Sequence, residues 1–168
     1  EGRLDEIRHC IACNEGCWGR ITQSMPITCA INPSAGREAE TEITPAPVRK
    51  RVMVIGGGIA GMEAARVAAL RGHTVSLYEK EPQLGGQLQI AAKAPGRGDM
   101  AEPVRYYERQ FEKLGVQVRL GTAVDEDIVR REAPEAVIVA TGGLPALPPI
   151  EGLDAARIPV VLARDVLA

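Results

Sequence analysis

The chain contains four cysteines, Cys10, Cys13, Cys17 and Cys29, all near its amino-terminal end and spaced C-x2-C-x3-C-x11-C. Thiolates are soft ligands, and four of them form the donor set of a 4Fe–4S cluster or of a structural zinc ion. Cys10 and Cys13 are close enough in sequence to grip one ion or adjacent corners of a cluster. Cys13 and Cys17 share one face if their segment is helical. Cys29 arrives from a loop containing Pro26 and is free to close the fourth side. Zinc sites more often pair two short C-x-x-C hooks, whereas three near cysteines and one remote are the iron–sulfur habit, although this spacing is not that of bacterial ferredoxins. The spacing alone therefore favours a cluster, with zinc next and disulfides or free thiols last. Four cysteines already complete a tetrahedral set, so His9 reads as structural or surface, as does His73. Trp18, beside Cys17, could shield a cluster from water, but ordinary packing is the expected role.

A second group of residues points to a dinucleotide. Ile55-Gly56-Gly57-Gly58-Ile59-Ala60-Gly61 directly follows an apolar strand and opens a helix. In that position Gly56 permits the tight turn, Gly58 lets the backbone approach a pyrophosphate, and Gly61 allows close helix–strand packing. The helix amino terminus then offers unpaired N–H groups to the phosphates. Glu79 ends the next strand, where a carboxylate can accept hydrogen bonds from ribose hydroxyls and would repel a 2′-phosphate. FAD, NAD or ADP is thus favoured over NADP. Leu84-Gly85-Gly86-Gln87 supplies a further glycine pair, whose plain alternative is a loop before a helix. Val139-Ala140-Thr141-Gly142-Gly143 ends a later strand at the same sheet edge, where ligands of open α/β sheets collect.

The elements that must position these residues form an α/β arrangement with a parallel sheet. Strands are expected at Val52–Ile55, Thr74–Glu79, Val116–Leu120 and Ala136–Ala140. Helices are expected from about Gly58 to Arg71, over 99–114 and at Glu126–Glu132, with a short charged helix at Arg3–Arg8. The 99–114 helix carries Met100, Val104, Tyr107, Phe111 and Leu114 on one stripe, Asp99 with Glu102 resembles a capping box, and Gly115 supplies the stop. Residues 1–31 read as a cysteine module, 32–50 as a linker and 51–168 as a Rossmann-like domain, with Pro145, Pro148 and Pro149 stiffening an extended loop. Arg49-Lys50-Arg51 reads as a solvated charge run.

The length of 168 residues fits one full domain plus a smaller appendage. A net charge of −2 gives no field for polyanions, and one Trp, three Tyr and one Phe supply no stacking platform, which argues against nucleic acid. No apolar run approaches the roughly 20 residues that cross a bilayer, and no amino-terminal stretch reads as a signal peptide. Clustered thiols suit the reducing cytoplasm. Opening on Glu1, the chain reads as a segment of something longer. No Ser/His/Asp constellation and no paired carboxylates are arranged for hydrolysis.

The motif His9-Cys10-Ile11-Ala12-Cys13-Asn14-Glu15-Gly16-Cys17, with Thr28-Cys29-Ala30-Ile31-Asn32-Pro33, resembles the cluster-binding segment of the 2,4-dienoyl-CoA reductase and trimethylamine dehydrogenase family. The likeness continues through Val54 to Ala65, Gly72-His73, Tyr78-Glu79-Lys80, Leu84 to Leu88 and Val139 to Gly142, nearly the whole chain. It implies a 4Fe–4S cluster on the four cysteines and an FAD or ADP site at Gly56, Gly58, Gly61, Glu79, Gly86, Gln87 and Thr141. Ile59, Ala60, Lys80, Val124, Ala140 and Gly142 complete the candidate cofactor-binding set.

Family members of this type join an FMN-bearing TIM barrel, the cluster and the α/β domain. In the reductases an NAD(P)H-binding domain follows a region like Pro159 to Ala168. The resemblance therefore implies FMN and NAD(P)H as further cofactors, held by a barrel and a domain in the same or a partner chain. Electrons would pass from NAD(P)H through FAD and the cluster to FMN. In the amine dehydrogenases they start at FMN, and the FAD-equivalent pocket can hold ADP, so a module that binds ADP for assembly is the other reading. Neither the barrel nor a catalytic acid or base is recognisable in these residues.

Overall fold

A computed structural model describes residues 2–153 and 157–167. Residue 1 of the segment assigned to 1–31, and residues 154–156 and 168 of the unit assigned to 51–168, lie outside those ranges. A 3₁₀ turn at Leu4–Glu6 and a short helix α1 (Trp18–Ile21) precede the sheet. There follow β1 (Arg51–Ile55), α2 (Ile59–Leu70), β2 (Thr74–Tyr78), α3 (Gln87–Ala91), α4 (Glu102–Leu114), β3 (Gln117–Arg119), α5 (Glu126–Glu132), β4 (Ala136–Val139) and α6 (Ala163–Leu167). The strands lie in the order β3-β2-β1-β4, all parallel, so the expected α/β sheet is present. Among the described residues no helix is long and apolar enough to cross a membrane.

β1 is central and reads as a continuous apolar run because both of its faces are covered. Met53 and Val54 are fully buried, and Val52 is nearly so. On one face, Val52, Val54, Val75 and Leu77 pack against Met62, Ala65 and Ala68 of α2 and Val104, Tyr107 and Phe111 of α4. Half of α2 is alanine or glycine, and Gly61, Ala65 and Ala68 are among the residues it buries. α4 is strongly amphipathic, and its buried stripe is the one its periodicity predicts. Gly115 ends it in the left-handed region at φ 68°, with its own N–H and that of Val116 both donating to the Phe111 carbonyl.

The start of α4 departs from expectation. Gly98–Ala101 forms a 3₁₀ turn, the α-helix begins at Glu102, and Asp99 makes no side-chain cap bond, so the capping box is not formed. Pro103 explains this: its ring would clash with the Asp99 carbonyl in a continuous α-helix, but it fits the first turn. The amino-terminal charged helix likewise shrinks to the single 3₁₀ turn. Residues 32–50 contain turns without helix or strand. Their end is tied down where Ala46 N–H donates to the Arg71 carbonyl and Lys50 N–H to His73 Nδ1. Arg49, Lys50 and Arg51 are exposed.

Candidate functional site

The glycine turn is locked from two sides. Gly56 has φ 110°, and a Cβ there would stand 2.2 Å from the Ala140 carbonyl oxygen. A Cβ on Gly61 would stand 1.8 Å from the Gly56 oxygen. Both positions are glycine because backbone already fills the space. Gly58 differs: its conformation is one any residue adopts (φ −72°, ψ 179°), and a Cβ would meet nothing within 4 Å. The chain therefore leaves open space at the amino-terminal cap of α2, where a phosphate would approach the backbone. On this observation the residues fit a dinucleotide.

The second glycine pair belongs to the same cradle. Gly85 N–H donates to the Gly57 carbonyl at 2.8 Å, and Gly58 and Gly85 form a parallel bridge. Gly86, at φ 52°, lies so close that a Cβ would stand 3.3 Å from Gly58 Cα. Gln87 Nε2 donates to the Gly143 carbonyl at 3.4 Å, linking this loop to the segment after β4. Thr141 and Gly142 are exposed there, while the Ala140 N–H donates to the Ile55 carbonyl and extends the sheet contact by one residue. Gly57, Gly85 and Gly143 lie within the quoted motifs but outside the candidate cofactor-binding set, and the structure adds them to the cradle as backbone partners.

Glu79 directly follows β2 and is 7% exposed. Its Oε2 accepts the Gly57 N–H at 2.6 Å and its Oε1 the Glu81 N–H at 2.9 Å. The carboxylate thus braces the glycine turn, and each oxygen keeps a free lone pair for a hydroxyl. Lys80 is exposed and pairs with the Glu81 carboxylate at 3.8 Å. Ile59 packs on the core, whereas Ala60 is exposed beside it. Val124 lines an open groove of about 480 Å³ with Ile55, Asp125, Glu126, Val129 and Arg130. Asp125 Oδ1 there caps α5 by accepting the Ile128 N–H.

Glu79→Ala is expected to weaken ADP binding by about 1.5–3 kcal/mol, the loss of a charge-assisted hydrogen-bonding partner. It should also lower stability by about 1–3 kcal/mol for each of the two N–H groups left without an acceptor. Calorimetry and thermal melting of the same preparation read both. An unchanged ADP affinity would count against the ribose assignment.

The thiols lie on a loop shaped by backbone. Ala12 and Asn14 take left-handed conformations, at φ 52° and 56°. Gly19 N–H donates to the Asn14 carbonyl at 2.8 Å. Thr28 N–H donates to the Gly16 carbonyl at 2.7 Å, and a Cβ on Gly16 would stand 2.5 Å from the Thr28 oxygen. That close contact brings the limb carrying Cys17 beside the limb carrying Cys29. Ala12 N–H donates to Cys10 Sγ at 3.3 Å. Cys10 and Cys17 are exposed, Cys13 and Cys29 half-buried, and all four are free.

Two expectations fail here. Cys13 and Cys17 do not share a helical face, because α1 begins only after Cys17 and the left-handed residues before it break any helix. Trp18 is 65% exposed and packs into no core. Among the described residues no three His, Cys, Asp or Glu side chains stand together to hold a metal ion. The donor set itself is four thiols on adjoining limbs, which suits a tetrathiolate centre; metal binding deprotonates and gathers such ligands.

An electrostatic cluster joins Arg8, two residues before Cys10, to Glu63 and Arg66 of α2 and Tyr107 of α4. Burial pushes the Glu63 carboxyl up, but Arg66, Arg8 and the Tyr107 hydroxyl outweigh it and hold it below the usual carboxylate range. Burial and then the Glu63 charge push the Tyr107 phenol well above its ordinary value.

Comparison with known proteins adds the lineage. The description pyridine nucleotide-disulphide oxidoreductase matches residues 50–163. An NADH oxidase of Thermoanaerobacter brockii is 47% identical over 170 residues, covering 100% of this chain and 26% of that protein. A cinnamate reductase of Clostridium sporogenes is 40% identical, covering 99% of this chain and 24% of that one. The solved structure of a 2-naphthoyl-CoA reductase with 2-naphthoyl-CoA superimposes with a TM-score of 0.86 at 42% identity, over 91% of this chain and 24% of that chain. The chain spans about a quarter of the length of these relatives. It belongs to the pyridine nucleotide-disulphide oxidoreductase family, among the flavoprotein reductases and dehydrogenases that its cysteine and glycine motifs resemble.

Proposed function

We propose that the chain is the electron-transfer segment of an iron–sulfur flavoprotein oxidoreductase of the cytoplasm. Cys10, Cys13, Cys17 and Cys29 would hold a 4Fe–4S cluster, and the glycine cradle with Glu79 would hold FAD. The observation that carries this reading is that the match to an NADH oxidase runs over 100% of the chain, thiol loop and cradle alike. Bound at these sites, the flavin would supply hydride and single-electron chemistry and the cluster one-electron chemistry.

The residues of the chain do the holding. Gly58 leaves room for the pyrophosphate, the first N–H groups of α2 face it, and the spare acceptor sites of Glu79 select ribose hydroxyls over a 2′-phosphate. Gly86, Gln87, Ala140, Thr141 and Gly142 border the same opening, and Val124 lines the groove beside it. An FMN-bearing barrel and an NAD(P)H-binding domain, in the same or a partner chain, would complete the relay.

The chain alone is expected to turn over no organic substrate, because carbon chemistry needs a flavin held against the substrate and a positioned proton donor. Anaerobic stopped-flow mixing of the reconstituted chain with NADH or NADPH and an enoyl substrate tests this. Multiple turnovers without a partner would overturn it. Flavin and ADP titrations in the same preparation separate the two occupants: binding of ADP with no uptake of FAD would instead favour a nucleotide module that serves assembly.

A further inference from the structure

Arg8 lies two residues before Cys10, and Ile31 two residues after Cys29. One guanidinium joins them: Arg8 Nη1 donates to the Ile31 carbonyl at 2.8 Å. Its other arm, Nη2, donates to Glu63 Oε2 at 3.1 Å. The guanidinium carbon also sits 4.8 Å from the centroid of the Tyr106 ring and 5.7 Å from that of Tyr107. Glu63 stands in α2, the helix that starts at the open Gly58 position. Its carboxylate is held in turn by Arg66 Nε and Nη2, each at 2.8 Å, and by the Tyr107 hydroxyl at 2.9 Å.

An exposed ion pair would carry little weight. This one is mostly shielded, with the Arg8 and Glu63 side chains 16% and 20% exposed. It combines a forked cation, a carboxylate fixed by three other donors, and an aromatic face beneath the guanidinium. A second ion pair from the amino-terminal segment to α4, Lys113 Nζ with Glu6 at 2.6 Å, is more open, with side chains 41% and 33% exposed.

We infer that Arg8 is the positioning residue of this segment: it clasps the entrance and exit of the thiol loop and pins both to Glu63, holding the four thiols as one set at a fixed place relative to the nucleotide cradle. The inference rests on the proposed reading of the four cysteines as one ligand set. Lysine cannot replace Arg8, because a single ammonium does not reach the Ile31 carbonyl and the Glu63 carboxylate in the planar fork that a guanidinium provides.

The test compares the full chain with Arg8→Ala, Arg8→Lys and Glu63→Gln. Amide exchange in the metal-free chain reads the clasp itself. In Arg8→Ala the Gly19 and Thr28 amides should exchange about tenfold faster or more, the equivalent of one lost charge-assisted hydrogen bond, while those of β1 and β2 keep their rates. Unchanged exchange across residues 10–30 overturns the inference whatever the thiols hold. Exchange raised throughout the chain overturns it too, since that is general destabilisation.

Cobalt(II), followed by its thiolate charge-transfer band, reads the consequence. Its affinity should fall about tenfold in Arg8→Ala and Glu63→Gln, recover little in Arg8→Lys, and leave ADP affinity unaltered. Full rescue by lysine, or a parallel loss of ADP binding, contradicts a positioning role. Absence of the band in the unsubstituted chain would sink the metal-site reading, and the exchange measurement would still decide the clasp.

Discussion

Gly61→Ala is expected to lower stability by about 3 kcal/mol or more, the upper range for forcing an extra methyl into filled space. For a chain of this size that is a melting temperature lower by roughly 6–12 °C. The added Cβ would stand 1.8 Å from the Gly56 oxygen, and that residue is itself pressed against Ala140, so neither neighbour can withdraw alone. Gly58→Ala is the informative control. Its methyl meets nothing within the chain, so stability should change by less than about 0.5 kcal/mol. ADP affinity should nonetheless fall roughly tenfold or more, since the methyl enters space reserved for the pyrophosphate. Melting curves and ADP calorimetry on both variants check the pair. A stable Gly61→Ala, or a Gly58→Ala that binds ADP normally, would show that these glycines do not divide the labour in this way.

Anaerobically reconstituted protein should be brown and carry about four irons per chain, and substitution of any one of Cys10, Cys13, Cys17 or Cys29 by serine should remove most of that iron. The thiols sit on a loop whose two limbs are joined by the contact between Gly16 and Thr28, which brings the Cys17 and Cys29 limbs side by side. Because the ligand set has to be deprotonated and drawn together, the metal should also raise the melting temperature of the loaded chain. Metal analysis and visible spectra decide the matter. Stoichiometric zinc without iron would overturn the cluster assignment, and iron retained in all four variants would remove these cysteines from it.

Much of the cradle was legible because its signals are local. An apolar strand, glycines at the turn and an acid ending the next strand are constrained by backbone geometry within a short stretch; β1 follows from a continuous apolar run, α2 from the glycine turn that opens it and Gly72 that stops it, and the buried stripe of α4 from apolar periodicity. What periodicity missed came from competition or from long range. Asp99 and Glu102 have the spacing of a capping box, but Pro103 sets the helix start by steric exclusion. Trp18 looked like packing material, yet no core lies beside it. The bond from Gly57 N–H to Glu79 and the clasp of Arg8 on Ile31 and Glu63 join residues far apart in sequence, and no local pattern announces such partners.

The contact between Gly56 and the Ala140 carbonyl also bears on the order of assembly. β1 pairs with β2 across a single helix, whereas its pairing with β4 closes a much longer loop at a higher entropic cost. Until that last strand docks, the glycine turn has its full sequence but lacks the backbone that presses it into shape. The turn therefore has its final shape only in the completed sheet, and a nucleotide bound to it would stabilise the docked fourth strand as well as the turn.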